Sequence, residues 1–118
     1  MPRAIDGTRR KDRRKTILKQ AKGYWGRRST LFRTAKDAVA KSYLYAYRDR
    51  KARKRDFRQL WITRISAATR KEGLSYSRFM NGLRRASVDI NRKALSNMAI
   101  EDPQAFSAVV QKAREALD

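Results

Sequence analysis

The densest chemistry in the chain is the run Tyr47-Arg48-Asp49-Arg50-Lys51-Ala52-Arg53-Lys54-Arg55-Asp56-Phe57-Arg58, in which seven of twelve side chains are cationic. A guanidinium grips phosphate through two parallel hydrogen bonds and also stacks on flat rings, so this run suits closely packed RNA better than lysines alone would. Asp49 and Asp56 stand among the cations at helical spacing, where pairing that orients the arginines outweighs any acid–base role. The competing reading is a charged face that is merely solvated.

Three further groups have the same character. Arg9-Arg10-Lys11 and Arg13-Arg14-Lys15, reinforced by Lys19 and Lys22, would point in several directions on a helix. A flat phosphate surface could not engage them all, whereas a folded RNA that wraps the helix could; the alternative is a solvated or disordered basic tail. Tyr24 and Trp25 lie between Lys22 and the pair Arg27-Arg28. Aromatics beside cations stack on unpaired bases, of which RNA offers more than duplex DNA, but a hinge packed on its own helices is an equal reading. A weaker patch comprises Arg78, Asn81, Gly82, Arg84 and Arg85, joined by Asn91, Arg92 and Lys93, with ordinary surface decoration as its competitor. Gly82 interrupts a helix where alanine would be more stable by up to about 1 kcal/mol, which points to a close approach by another backbone.

Catalysis finds no comparable foothold. Histidine and cysteine are both absent, which removes imidazole bases, thiolate nucleophiles, disulfides and zinc fingers together. No glycine-rich phosphate loop accompanies metal-binding carboxylates, so we expect no catalytic residue, no metal and no cofactor. Glu72, Glu101 and Asp102 read as surface and capping residues.

The elements that hold these groups must be helices. No alternating strand pattern, hairpin signal or internal repeat occurs. Residues 1–7 read as an extended arm that orders on its partner. Residues 8–22 favour a helix, with Thr8 as N-cap and only Ile17, Leu18 and Ala21 as an apolar stripe. Such a helix is too polar to be held by burial in its own protein. Gly23-Tyr24-Trp25-Gly26 breaks it in a tight bend. Residues 29–71 contain neither Gly nor Pro and read as one long helix, its stripe thin over 32–47, absent over 48–55 and dense after Phe57, with Gly73 as its C-cap. Three shorter helices follow. Ser75 or Ser77 caps the first, whose inner face is Tyr76, Phe79, Met80 and Leu83. Asn91 caps the second, with a staple between Ile90 and Leu95, and Asp102-Pro103 opens the third. Leu60, Trp61, Ile65, Phe79, Leu83, Leu95, Met98 and Phe106 are the expected core.

Charge divides the same way: residues 1–58 hold 21 basic and 5 acidic side chains, and residues 59–118 hold 10 and 6, for a net +20. We therefore expect an all-α chain made of a basic helical arm, 1–58, and a small four-helix domain, 59–118. A compact monomer would hold +20 only against strong self-repulsion, so an anionic partner is implied. Nucleic acid fits, because each neutralised phosphate releases counterions. A membrane binder would need a broad apolar face along residues 8–22, and the residues there are too polar. With no run of about 18 apolar residues and no apolar leader, a cytoplasmic protein is expected.

Several motifs occur together in order: Lys22-Gly23-Tyr24-Trp25-Gly26, Tyr45-Ala46-Tyr47-Arg48-Asp49-Arg50, Lys54-Arg55-Asp56-Phe57-Arg58, Leu60-Trp61-Ile62, Tyr76-Ser77 with Phe79, and Asn81-Gly82-Leu83. In order and spacing they closely resemble the bacterial large-subunit ribosomal proteins numbered twenty, over nearly the whole chain without gaps. Asp6, Asp12 and Ser66 depart from the pattern expected of that family. The resemblance implies a large-subunit protein that binds large-subunit (23S) ribosomal RNA early in assembly, beside neighbouring ribosomal proteins, with no membrane and no homo-oligomer. It also implies, for some members, repression of their own operon through a messenger RNA that mimics the ribosomal site. Transferred to this chain, it gives a threading role to residues 3–58, including Arg3, Arg33 and the cations above. The binding of an RNA helix junction falls to Arg78, Asn81, Arg84, Arg85, Arg92 and Lys93. A DNA-compacting protein would share the charge but has no need of aromatics at a hinge.

Overall fold

A computed structural model describes residues 8–117. The expected arm at residues 1–7, with Arg3, lies outside the described residues. Five α-helices follow one another: α1 (Arg9–Gln20), α2 (Phe32–Lys71), α3 (Tyr76–Arg85), α4 (Arg92–Glu101) and α5 (Pro103–Glu115), with a short 3-10 turn at Gly26–Arg28 before α2. No strand occurs among the described residues. The chain divides into two units between Lys51 and Ala52, a boundary that falls inside α2.

In the first unit α1 stops at Gln20, two residues short of the expected end, with the Ala21 amide still bonded to the Ile17 carbonyl. Thr8 precedes the helix, but its backbone is already helical and its hydroxyl makes no capping hydrogen bond, so it is not the cap its residue type suggests. The reversal takes place at Gly23 and Gly26, both at positive φ (88° and 59°), a region that side chains with a Cβ enter only with strain. The long helix begins at Phe32 rather than Ser29, because the Ser29, Thr30 and Leu31 amides donate back to the Gly26 and Arg27 carbonyls in closing the 3-10 turn.

Beyond the end of α1, Ala21 joins Ala35 and Val39 in a small buried cluster, flanked by half-buried Ile17, Leu18 and Tyr24, so the stripe of α1 is partly covered while no residue of Arg9–Gln20 is fully buried. The Arg14 guanidinium lies 5.2 Å from the Phe32 ring centre and adds a cation–π contact.

The second unit closes on a larger core of Ile65, Leu74, Phe79, Leu83, Leu95, Phe106, Val110 and Ala113, with α5 packed on both α3 and α4. The Phe79 and Phe106 rings meet at 5.7 Å in a tilted pair. α2 ends in a Schellman motif: the Leu74 amide donates to the Thr69 carbonyl and the Gly73 amide to the Arg70 carbonyl, with Gly73 at φ 77°. The three later helices are capped as their residues foretell. Ser75 Oγ accepts from the Arg78 amide, Asn91 Oδ1 from the Ala94 amide at 2.8 Å, and Asp102 Oδ1 from the Ala105 amide at 3.0 Å, with Pro103 at the first helical position. α3 ends in a second Schellman motif, closed by the Val88 amide on the Leu83 carbonyl, with Ser87 in the left-handed region at φ 54°.

Two members of the expected core are misplaced. Leu60 is 40 % exposed, and Trp61 is only half-buried and outside the central cluster. The turn at which α2 meets α3–α5 begins with Ile65, one helical turn later than the apolar spacing suggests. Gly82 fulfils its expectation: a Cβ there would collide with the carbonyl and side chain of Ala113, so glycine is what lets α3 and α5 touch backbone to backbone.

Candidate nucleic-acid interface

On α1, Arg10, Lys11, Arg13, Arg14, Lys15 and Lys19 are all exposed, as is Lys22 beyond its end. Because each residue turns by about 100°, they surround the helix except along the stripe of Ile17, Leu18 and Ala21. Arg10, Lys11, Arg14, Lys15 and Leu18 frame a shallow groove of about 600 Å³. Arg9 is likewise exposed.

The glycine bend separates its two aromatics. Tyr24 is half-buried against the small cluster, so the hinge reading applies to it. Trp25 stands 90 % exposed, held by no packing of its own, so its indole face is open to stack on a planar partner. Ser29 Oγ donates to the Gly26 carbonyl, and Thr34 Oγ1 to the Arg27 carbonyl, which fixes the loop that carries Arg27 and Arg28. Tyr24, Trp25, Arg28, Lys41, Ser42 and Tyr45 together border a cleft of about 390 Å³.

Lys41 and Tyr45 are part of this surface although reasoning from sequence passed them over. Lys41 Nζ lies 5.3 Å above the Tyr45 ring and the Arg48 guanidinium 4.7 Å from it. Their spacing of four residues was the available signal. A similar pair follows, with Lys51 Nζ 4.3 Å from the Tyr47 ring centre and bonded to its hydroxyl at 2.8 Å. Tyr43, Leu44, Tyr45 and Tyr47 are all exposed.

In the arginine-rich run Arg48, Arg50, Lys51, Arg53, Lys54, Arg55 and Arg58 are all exposed on α2, as is Arg33 near its start. Arg48 Nε donates to Asp49 Oδ1 at 2.7 Å. That hydrogen bond raises the Arg48 pKa above its ordinary value and holds the Asp49 carboxyl below the usual carboxylate range. The pairing expected for Asp49 is thus present but with its neighbour, not one helical turn away. Asp56 has no ion pair among the described residues. Arg53 lies 5.8 Å from the Phe57 ring centre.

In the second unit Arg78, Asn81, Arg84, Arg85 and Lys93 are exposed, and Arg92 is half-buried, its Nε donating to the Tyr76 hydroxyl at 3.0 Å. Arg58, Arg84, Arg92 and Lys93 rim one groove, whereas Arg78, Asn81 and Arg85 lie outside it. Gly82 is buried between helices and takes no part in any surface. Across both units the arrangement is dense exposed cation with interleaved rings, suited to phosphates and unstacked bases. Among the described residues no group of three or more acids could hold a metal ion, and no helix is long and apolar enough to cross a membrane.

Residues 3–109 match the family model described as ribosomal protein L20. The chain is 58 % identical over 117 residues to the large ribosomal subunit protein bL20 of Staphylococcus carnosus, covering 99 % of each chain. It is 59 % identical to that of Oceanobacillus iheyensis, again over 99 % of each. The protein of the same description from Treponema denticola is 58 % identical over 99 % of this chain and 98 % of the relative.

Proposed function

The chain belongs to the ribosomal protein L20 family, and from that premise we propose that it is a non-catalytic, structural constituent of the large subunit of the cytoplasmic ribosome, binding 23S ribosomal RNA directly and early in assembly. The observation that carries the reading is the exposed arginine-rich stretch of α2 with its cation–ring pairs, a surface that satisfies phosphate and base face together.

In this reading residues 1–58 act as an electrostatic staple. The contact between α1 and α2 buries three small side chains, too little to fix so many residues unaided. The segment therefore gains most of its order as it neutralises phosphates, drawing separate RNA segments together, and the ordering cost is met at binding. Residues 59–118 are preformed and dock on an RNA helix junction through Arg78, Asn81, Arg84, Arg85, Arg92 and Lys93. Neighbouring ribosomal proteins complete its surroundings, and the protein acts as a monomer. The same surface binds its own messenger RNA where the leader imitates the ribosomal site, repressing translation.

The test is competition. Full-length protein on a 23S RNA transcript should resist displacement by a mass excess of duplex DNA, and crosslinks mapped in growing cells should cluster on that RNA. Equal displacement by DNA would instead indicate a DNA-compacting protein. A reporter behind its own leader that ignores overexpression of the protein would remove the autorepression.

A further inference from the structure

The second unit contains a groove of about 730 Å³ in which Trp61, Met80, Leu83, Val88 and Ile90 supply apolar wall, and Arg58, Arg84, Arg92 and Lys93 supply cationic rim. We propose that this groove receives one unstacked nucleobase of the bound RNA, with Trp61 as the stacking face and Arg58, Arg84 and Lys93 holding the flanking phosphates. The proposal rests on the RNA-binding reading above and specifies what that reading leaves open: a base-reading pocket in a region otherwise credited with charge alone.

Four observations support a base as the occupant. The volume lies in the range of roughly 300–1,000 Å³ typical of pockets for small organic ligands. Trp61 sits at the edge of the core rather than in it, leaving part of its indole uncovered. It also continues a series at four-residue spacing on α2: Arg53 lies 5.8 Å from the Phe57 ring centre, and the Phe57 and Trp61 centroids are 6.3 Å apart. Cation, ring and ring in succession form the kind of platform on which bases stack regardless of identity. Finally, the rim carries four cations against the single acid Asp89, so its charge complements a phosphodiester and would repel a basic peptide.

The wall is also held still. Arg92 Nε is tied to the Tyr76 hydroxyl at 3.0 Å, which joins the start of α4 to α3. Ser87, in the left-handed conformation beside the groove, is kept there by the hydrogen bonds that end α3. A pocket fixed before binding spends little freedom on its ligand.

The experiment uses full-length protein carrying Trp25→Phe, which leaves Trp61 as the sole tryptophan, titrated with a 23S RNA transcript. Stacking should quench the Trp61 emission in the complex by at least about half, a signature of ring contact that charge neutralisation does not produce. Independently, Trp61→Ala should raise Kd about 5- to 150-fold, the loss of one stacked base, with the salt slope unchanged, whereas Trp61→Phe restores most of the affinity. Melting curves of both variants report folding, and the quenching arm stands even where the alanine variant unfolds. Unquenched emission in a formed complex overturns the base pocket but leaves RNA binding intact. Emission that changes only in whole assembled subunits assigns the groove to another macromolecule and overturns it equally. Absence of any RNA binding by unsubstituted protein overturns both readings.

Discussion

Gly82 shows how one residue sets the distance between two helices. A methyl group there would fall inside the van der Waals envelope of the Ala113 carbonyl, carbon and side chain. Gly82→Ala gains up to about 1 kcal/mol of helix propensity but must push α5 away from α3 across the centre of the core. Overpacking of this kind costs about 1–3 kcal/mol, and here the obstacle is backbone, which cannot rotate aside. We expect a net destabilisation of about 1–2 kcal/mol and a Tm several degrees lower by circular dichroism, since a domain of this size shifts by about 4–8 °C per kcal/mol. An unchanged Tm would mean that α5 slides without loss. This residue was legible in the sequence, because a glycine inside a helical pattern has a penalty that something must offset. Trp61 and Leu60 were not. Their spacing of three and four residues from other apolar side chains identifies a helix face, but where along that face the covering helices begin depends on the positions of α3 to α5, and no local pattern encodes those. Thr8 failed for a different reason: its side chain has the chemistry of a cap, but its backbone entered the helix early.

At the scale of elements, the two units are built by opposite means. Each helix of the second unit begins with a side chain that satisfies an open amide, and Asn91 does so at 2.8 Å. Asn91→Ala should destabilise that unit by about 1 kcal/mol, visible as a lower midpoint in urea with unchanged slope; no shift would show the cap to be redundant with the staple formed by Ile90 and Leu95. In the first unit, α1 has no fully buried residue of its own within Arg9–Gln20, and twelve residues are marginal for a helix in water. The free protein should therefore exchange the backbone amides of residues 8–51 far faster than those around Ile65, Phe79, Leu95 and Phe106, and 23S RNA should slow the first group selectively. Equal protection in both units without RNA would refute coupled folding. The helical type of these elements, their order and most of their caps could be read from residue spacing. The small cluster of Ala21, Ala35 and Val39 could not, because alanines weigh little in any apolar pattern.

For the molecule as a whole, the decisive quantity is the uneven distribution of charge, +16 over residues 1–58 and +4 over residues 59–118. If affinity comes chiefly from phosphates, then log K falls linearly with log salt, and the slope counts the contacts made. Arg53, Lys54 and Arg55 are consecutive and exposed on α2, so replacing all three by glutamine removes charge without disturbing a buried contact. Arg53 alone also touches a ring, Phe57. Up to three phosphate contacts are lost, and the slope should become shallower by about 2–3, with affinity most reduced at low salt and the difference narrowing as salt rises. The Asp49 carboxyl gives a contrasting control. Its pKa is lowered by the hydrogen bond from Arg48, so the folded-state value lies below the unfolded one. The stability contributed is present above the unfolded pKa and disappears only as pH falls through the folded value. Both groups are exposed, so near neutral pH this pair should leave binding independent of pH while the salt dependence stays steep. A slope that survives the triple replacement would place the phosphate contacts elsewhere on the chain, and the arginine-rich run would then be a solvated face after all.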